Sequence, residues 1–466
     1  MLRNLGLCWL ILALFGGVSL AAERPPNFVL IYCDDLGYGD LGCYGSKTNS
    51  TPNLDRLAAQ GLRFTDFHTA AAVCSASRAA LLTGCYPLRV EIMGALGPQS
   101  KVGIHADEIL LPELLKKQGY ATAIYGKWHL GHLPMFLPMQ HGFDDYFGLP
   151  YSNDMWPFHP QGKFTALPLI EKNETVNLNP DQTKLTRWYT ERAVKFIEEK
   201  KDQPFFLYVP HSMPHVPLFV GYDYYGKTGR GIYADVLAEI DASVGSILAA
   251  LEKHHLTENT VVVFSSDNGP WLTYGQHAGS SGGFREGKGT TFEGGMRVPM
   301  LAAWPGKIPA GKTCDALCGT IDILPTFAAL AGTKAPEDRL IDGRDLRPIL
   351  FEEANAPPPR DTYLYYWNYG LDAVRYQHWK LHYPHTFPSL TGKPGEHGVP
   401  GGITQGKIGK ALFNLKEDPS ESRNVLEQHP EIVAQLDQIA QAAREDLGNS
   451  HQKVNGKNRR PAGKAE

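Results

Sequence analysis

Short runs of uninterrupted apolar residues constrain this chain more than any other feature. They occupy residues 26–33 (PNFVLIYC), 121–125, 205–209 and 261–265 (VVVFS). A strand wet on one face alternates in polarity, whereas a strand covered on both faces reads as a continuous run. Helical stretches separate the runs, notably residues 54–60, 184–200 and 233–254. Buried strands alternating with helices predict an α/β fold, a large mostly parallel sheet flanked by helices. Ligands of such sheets bind beyond the carboxyl ends of the strands. Asp34-Asp35 and Asp267-Asn268 both follow apolar runs closely, so the two pairs are expected to converge there.

Past about residue 332 the texture changes to Pro-containing segments and short strands at 363–367, 374–376, 379–382 and 411–414. An amphipathic helix over 430–447 follows, with Ile432, Leu436, Ile439 and Ala440 on one face. The expected organisation is a catalytic unit over 23–335, a smaller antiparallel sheet plus helix over 336–450, and a disordered tail over 451–466. Residues 1–22 carry Arg3, an apolar run and small residues at Ser19-Leu20-Ala21-Ala22, the pattern of an export leader, with a retained anchor as the alternative. No later run reaches the ~20 apolar residues of a membrane span, so stable membrane insertion is not expected.

Composition narrows the function. The chain has 466 residues, 42% of them apolar, enough for a large core. A net charge of −4 gives no support to a nucleic-acid partner, so any anion site must be built locally. Of seven cysteines, Cys8 lies in the leader. Cys314 and Cys318 would stand ~13 Å apart on one straight strand, too far to bridge. No disulfide framework is predicted, and no zinc spacing is present.

Five blocks carry chemistry. The two acidic pairs form an all-oxygen set that suits calcium or magnesium rather than zinc. Cys74 opens the helical stretch 75–83, where backbone N–H groups favour an anion, and Arg78 follows one turn later on the same face. Lys127 and His129, in Gly126-Lys127-Trp128-His129, share one side if the chain is extended. His215, in a proline-stiffened loop, could donate a proton to a leaving alkoxide. Lys288 stands in the Gly-rich segment 287–295, whose spacing does not match a nucleotide-binding phosphate loop.

In this order, the blocks resemble type I sulfatases, most closely the arylsulfatase A and N-acetylgalactosamine-6-sulfatase branch. Cys74-Ser75-Ala76-Ser77-Arg78 is similar to the family's maturation signal, in which the cysteine is oxidised to formylglycine. The resemblance implies an alkaline-phosphatase-like fold and one calcium ion on Asp34, Asp35, modified Cys74, Asp267 and Asn268, with magnesium the lesser choice. It implies that Arg78, Lys127 and Lys288 hold the nucleophile and sulfate, and that Ser152 contacts sulfate. His129 would take the second hydroxyl proton, and His215 would protonate the leaving group. The implied partners are a formylglycine-generating or sulfatase-maturing enzyme and a sulfated small molecule or glycan. Ala76 stands where most members have Pro, and Cys85 where Arg is common. Two rivals are a phosphate or phosphonate monoester hydrolase of the same superfamily and an unmodified, inactive binder of sulfated glycans. Loops over 135–154, 219–231 and 382–401 would meet the leaving group, with Tyr151, Tyr222, Tyr224, Tyr225, Trp156 and Phe158 able to stack on a sugar or pack the loops.

Overall fold

The computed structural model describes residues 24–160, 162–353, 357–390 and 392–466; the expected leader lies outside them. A ten-stranded sheet runs in the order Lys312–Cys314, Leu62–Phe64, Met300–Ala303, Thr260–Ser266, Asn27–Cys33, Phe205–Pro210, Ala121–Tyr125, Asp145–Gly148, Pro168–Glu171 and Glu174–Leu178. The five strands from Thr260–Ser266 to Asp145–Gly148 are mutually parallel. The next strand on each side is antiparallel. Four of the five central strands are the apolar runs, buried along their whole length as continuous runs require.

Alternation along Asn27–Cys33 divides the core. Phe28, Leu30 and Tyr32 join one layer with Ala79, Leu81 and Leu82 of the Cys74–Thr83 helix. Val29, Ile31 and Cys33 join the other, with residues of the Leu185–Lys200 and Ile232–Lys253 helices. Each buried aliphatic or aromatic side chain stabilises the fold by roughly 1.5–3 kcal/mol. Register then places the site: Cys33 pairs with Ser266 and Tyr32 with Pro210, so three parallel strands end at one level. The chain after each end carries the charged residues.

The C-terminal part has a four-stranded antiparallel sheet, Thr362–Trp367, Gly370–Tyr376, Trp379–His382 and Ala411–Asn414, covered by the Pro430–Leu447 helix. Leu436, Ala440, Ala443 and Leu447 are buried, while Ile432 and Ile439 are half-buried at its edge. A hairpin of His385–Leu390 and Ile403–Ile408 replaces much of what reads in sequence as one loop.

The tail is a correction. Residues 451–466 read as disordered because they are polar and basic, but Gly463–Lys464 pairs with Val102–Gly103. Arg460 donates to Glu108 at 2.6 and 3.0 Å, and to Cys85 Sγ at 3.4 Å. Basic residues with buried acidic partners order a segment that composition alone leaves free. The six cysteines among the described residues are unpaired. No helix among those residues is long and apolar enough to cross a membrane.

Candidate active site

Asp34 and Asp35 directly follow the Asn27–Cys33 strand, and Asp267 and Asn268 follow Thr260–Ser266. Asp35 turns out of the strand with φ 64° and donates its backbone N–H to Asp267 Oδ1 at 3.2 Å. Asn268 Nδ2 donates to Asp35 Oδ1 at 2.7 Å. The two acidic pairs therefore converge.

Cys74 opens its helix after extended Val73 (φ −155°, ψ 142°), and all ten helix residues are buried. Ser75 Oγ accepts from Leu96 N at 3.0 Å, and Ala76 N donates to Gly94 O at 3.3 Å. The Ala76 bond uses an N–H that Pro would lack. Arg78 donates to Asp267 Oδ2 at 2.8 and 3.1 Å and to Lys127 O at 2.9 Å.

Gly126 has φ 144°, and a Cβ there would stand 1.9 Å from Pro210 O. The following residues are clamped: Lys127 N donates to Pro210 O, Trp128 N to Leu149 O and His129 N to Pro150 O. Lys127 pairs with Asp34 and donates to Ser152 Oγ at 3.1 Å. His129 is not extended, as its shared side with Lys127 would require, but has φ 64°. Its Nε2–H donates to Leu96 O at 2.9 Å, which leaves Nδ1 as the basic nitrogen. Nδ1 is buried and has no partner among the described residues.

Ser152 Oγ lies 3.4 Å from the His215 ring. His215 Nδ1 donates to Val216 O at 2.5 Å, and its Nε2 lies 3.6 Å from Asp35 Oδ2. Lys288 Nζ sits 2.8 Å from Asp35 Oδ1 and 4.3 Å from the centre of the Trp271 ring. All eleven sequence-predicted residues thus adjoin one cluster. Trp271, 5.5 Å from the His215 ring, was missed. Nothing in its spacing from Asp267 marks it.

Electrostatics sort the groups by role. Burial raises the Asp34 carboxyl, but Lys127, His215 and Arg78 outweigh it and hold Asp34 well below the usual range. Burial and the Asp34 charge push Asp267 up to about 7. Burial, Lys127 and Arg78 hold His129 well below an ordinary imidazole. Burial also pushes the Cys74 thiol up to about 11, despite Lys127 and Lys288. An unmodified Cys74 is then a poor thiolate nucleophile.

The donor set fits a hard cation. Asp34 Oδ1 and Asn268 Oδ1 are buried without hydrogen-bond partners among the described residues, and the Asp34 and Asp267 charges oppose each other. Oxygen ligands with unsatisfied lone pairs and mutual repulsion suit calcium. A second acidic group, Asp66, His68 and Glu293, is close enough to share an ion. There Arg375 and Lys380 already pair with Asp66 and Glu293.

Known proteins resemble the chain along most of its length. A sulfatase family model matches residues 26–333, and a model for the C-terminal region of aryl-sulfatase matches residues 358–464. The chain is 42% identical to arylsulfatase A of Bos taurus, over 91% of this chain and 87% of that one. It is 42% identical to N-acetylgalactosamine-6-sulfatase of Rattus norvegicus, over 80% and 74% respectively. The PsFucS1 sulfatase from Pseudoalteromonas sp. superposes with a TM-score of 0.80 at 29% identity, covering 90% of each chain. A phosphonate monoester hydrolase of Agrobacterium radiobacter shares the fold, with a TM-score of 0.63 at 20% identity over 90% of this chain and 95% of that one.

Proposed function

This chain belongs to the sulfatase family, and from that premise we propose that it hydrolyses sulfate monoesters of sugars or aryl alcohols through a formylglycine made from Cys74. The observation that carries the reading is the meeting of Cys74, three cations, two histidines and four oxygen-bearing residues in one buried site. Cys74 is 2% exposed on a buried helix. A maturing enzyme must therefore meet this segment before the chain folds. The leader-like start supports an exported protein.

Asp34, Asp35, Asp267, Asn268 and modified residue 74 would hold one calcium ion, which would supply positive charge to the sulfate oxygens. Arg78, Lys127 and Lys288 surround the same space and offset charge that develops on sulfate during transfer. Ser152, touching both Lys127 and His215, would orient a sulfate oxygen.

The proposed proton path uses Asp267, His215 and His129. One hydroxyl of the hydrated residue 74 attacks sulfur while Asp267 takes its proton. The sulfur–oxygen bond to the alcohol breaks, and His215, protonated on both nitrogens, gives its Nε2 proton to the departing oxygen. Burial and Lys288 lower His215, which makes it a stronger acid, with Asp35 opposing. His129 Nδ1 then takes the proton of the other hydroxyl. The carbon–oxygen bond to sulfate breaks, sulfate departs and the aldehyde returns. Water adds to it and restores the hydrate, and of the protons held by Asp267 and His129 one returns to His215 and one leaves to solvent.

The test is sulfate release from 4-nitrophenyl sulfate and a hexosamine 6-sulfate, with matched phosphate esters as controls. The expected result is sulfate release that a chelator abolishes and calcium restores better than magnesium. Faster phosphate than sulfate release would overturn the reading.

A further inference from the structure

Beside the sulfate site, the chain that leaves Ser152 makes a tight turn. Met155 N donates to Ser152 O at 3.1 Å, and Trp156 N to Asp154 O at 2.8 Å. This turn carries two polar groups that the chemistry above does not use. Asp154 Oδ1 is buried and has no hydrogen-bond partner among the described residues. Its other oxygen lies 3.8 Å from His159 Nε2, and the side chain is only 13% exposed. Trp156 Nε1 is likewise buried without a partner there, while its ring packs on Phe158 at 4.9 Å and Phe219 at 5.6 Å.

Buried polar groups almost always have partners, so two orphans two residues apart are open to a ligand group. Their place says which part of the ligand. The sulfatase reading puts the departing oxygen at His215, and this inference rests on that reading. Ser152 touches the His215 ring at 3.4 Å. Asp154 follows in the same turn, which the Met155 N to Ser152 O bond closes. Trp271 completes this side, 5.5 Å from the His215 ring and 4.9 Å from the Tyr274 ring. Asp154 thus borders the alcohol side of the ester.

The chemistry of the pair is complementary. A carboxylate only accepts hydrogen bonds and an indole N–H only donates one. A hydroxyl does both, so a polyhydroxylated alcohol satisfies the two groups, and an aryl ring satisfies neither. We propose that Asp154 and Trp156 form a hydroxyl-reading subsite, so that the enzyme selects sugar sulfates over aryl sulfates. The two residues set specificity by touching the leaving group and take no part in the transfer itself.

Asp154→Asn and Trp156→Phe test this: the first keeps the shape of the side chain and removes its charge, and the second keeps an aromatic ring and removes the N–H. The probes are 4-nitrophenyl sulfate, the best monosulfated hexose of a panel, and deoxy versions of that hexose sulfate. Each substitution should lower kcat/KM for the hexose sulfate by about 10-fold or more, with 4-nitrophenyl sulfate within about 2-fold. In wild type, one deoxy position should reproduce the loss, and the matching variant should lose nothing more from it. Equal losses on both substrate types would assign Asp154 and Trp156 a merely structural role and overturn the subsite. So would no loss on either. A wild type that releases sulfate from neither substrate would instead overturn the sulfatase reading, and the subsite with it.

Discussion

His129 donates its Nε2 proton to Leu96 O, and its surroundings resist a second proton. Burial acts first, with Lys127 and Arg78 adding to it. A base works only when unprotonated, so activity falls as pH drops through its folded pKa. That pKa is lowered, so the acid limb of kcat governed by His129 should lie below pH ~6.5, the ordinary imidazole value. His129→Ala should lower kcat by roughly 100-fold or more and leave a sulfate group on residue 74, seen by peptide mass. A limb at or above the ordinary value, or an unlabelled peptide, would contradict the assignment. At this scale the sequence was informative where chemistry clusters in short blocks. Asp34-Asp35, Cys74 with Arg78, and Lys127 with His129 each lie within five residues. Trp271 and Asp154 were not legible, because their relevance depends on what packs beside them.

The Lys127–His129 segment keeps its shape through backbone bonds to two neighbouring strand ends, and Gly126 makes the close approach possible. A methyl at Gly126 would meet Pro210 O at 1.9 Å, and the residue's φ of 144° is one that side chains resist. Gly126→Ala should destabilise the protein by about 1–3 kcal/mol and lower activity beyond that loss, since Lys127 and His129 move with the strand end. Denaturant unfolding beside kcat/KM checks this; unchanged activity in a folded variant would contradict it. Elements were legible where patterns are long. The Pro430–Leu447 helix and the Ala121–Tyr125 strand match their expected bounds. The short Leu62–Phe64 and Met300–Ala303 strands did not stand out, because three or four residues carry too little periodicity to separate a strand from a buried loop. The His385–Leu390 hairpin was hidden by its Gly- and Pro-rich connection.

Across the whole molecule, buried charges tie the C-terminal sheet to the large one. Arg375 pairs with Asp66, 309 residues away in sequence. Lys380 lies 3.0 Å from Glu293 and 2.9 Å from Glu421, all three buried. Burial pushes both carboxyls up, but Lys380 foremost among their partners outweighs it and holds them low. Carboxyls with lowered folded pKa values stabilise above their ordinary range, and that stability is lost as pH falls through the folded values. Lys380→Met leaves both buried without their main partner and should cost about 3–5 kcal/mol near neutral pH, less at pH ~5 where protonation relieves the acids. An equal loss at both pH values, followed by thermal or denaturant unfolding, would contradict this network. No local pattern foretells such pairs, and the ordered tail was misread for the same reason: Arg460 finds Glu108 only in three dimensions. The general architecture was legible because it follows from strand burial, whereas its fastening depends on partners far apart in the chain. The central claim is that residue 74 acts as a formylglycine. The most direct measurement is the mass of the tryptic peptide 64–78, taken from a preparation shown to release sulfate. The account predicts loss of the Cys74 sulfur and gain of an aldehyde oxygen; full activity with an intact, alkylatable thiol at that position would contradict it.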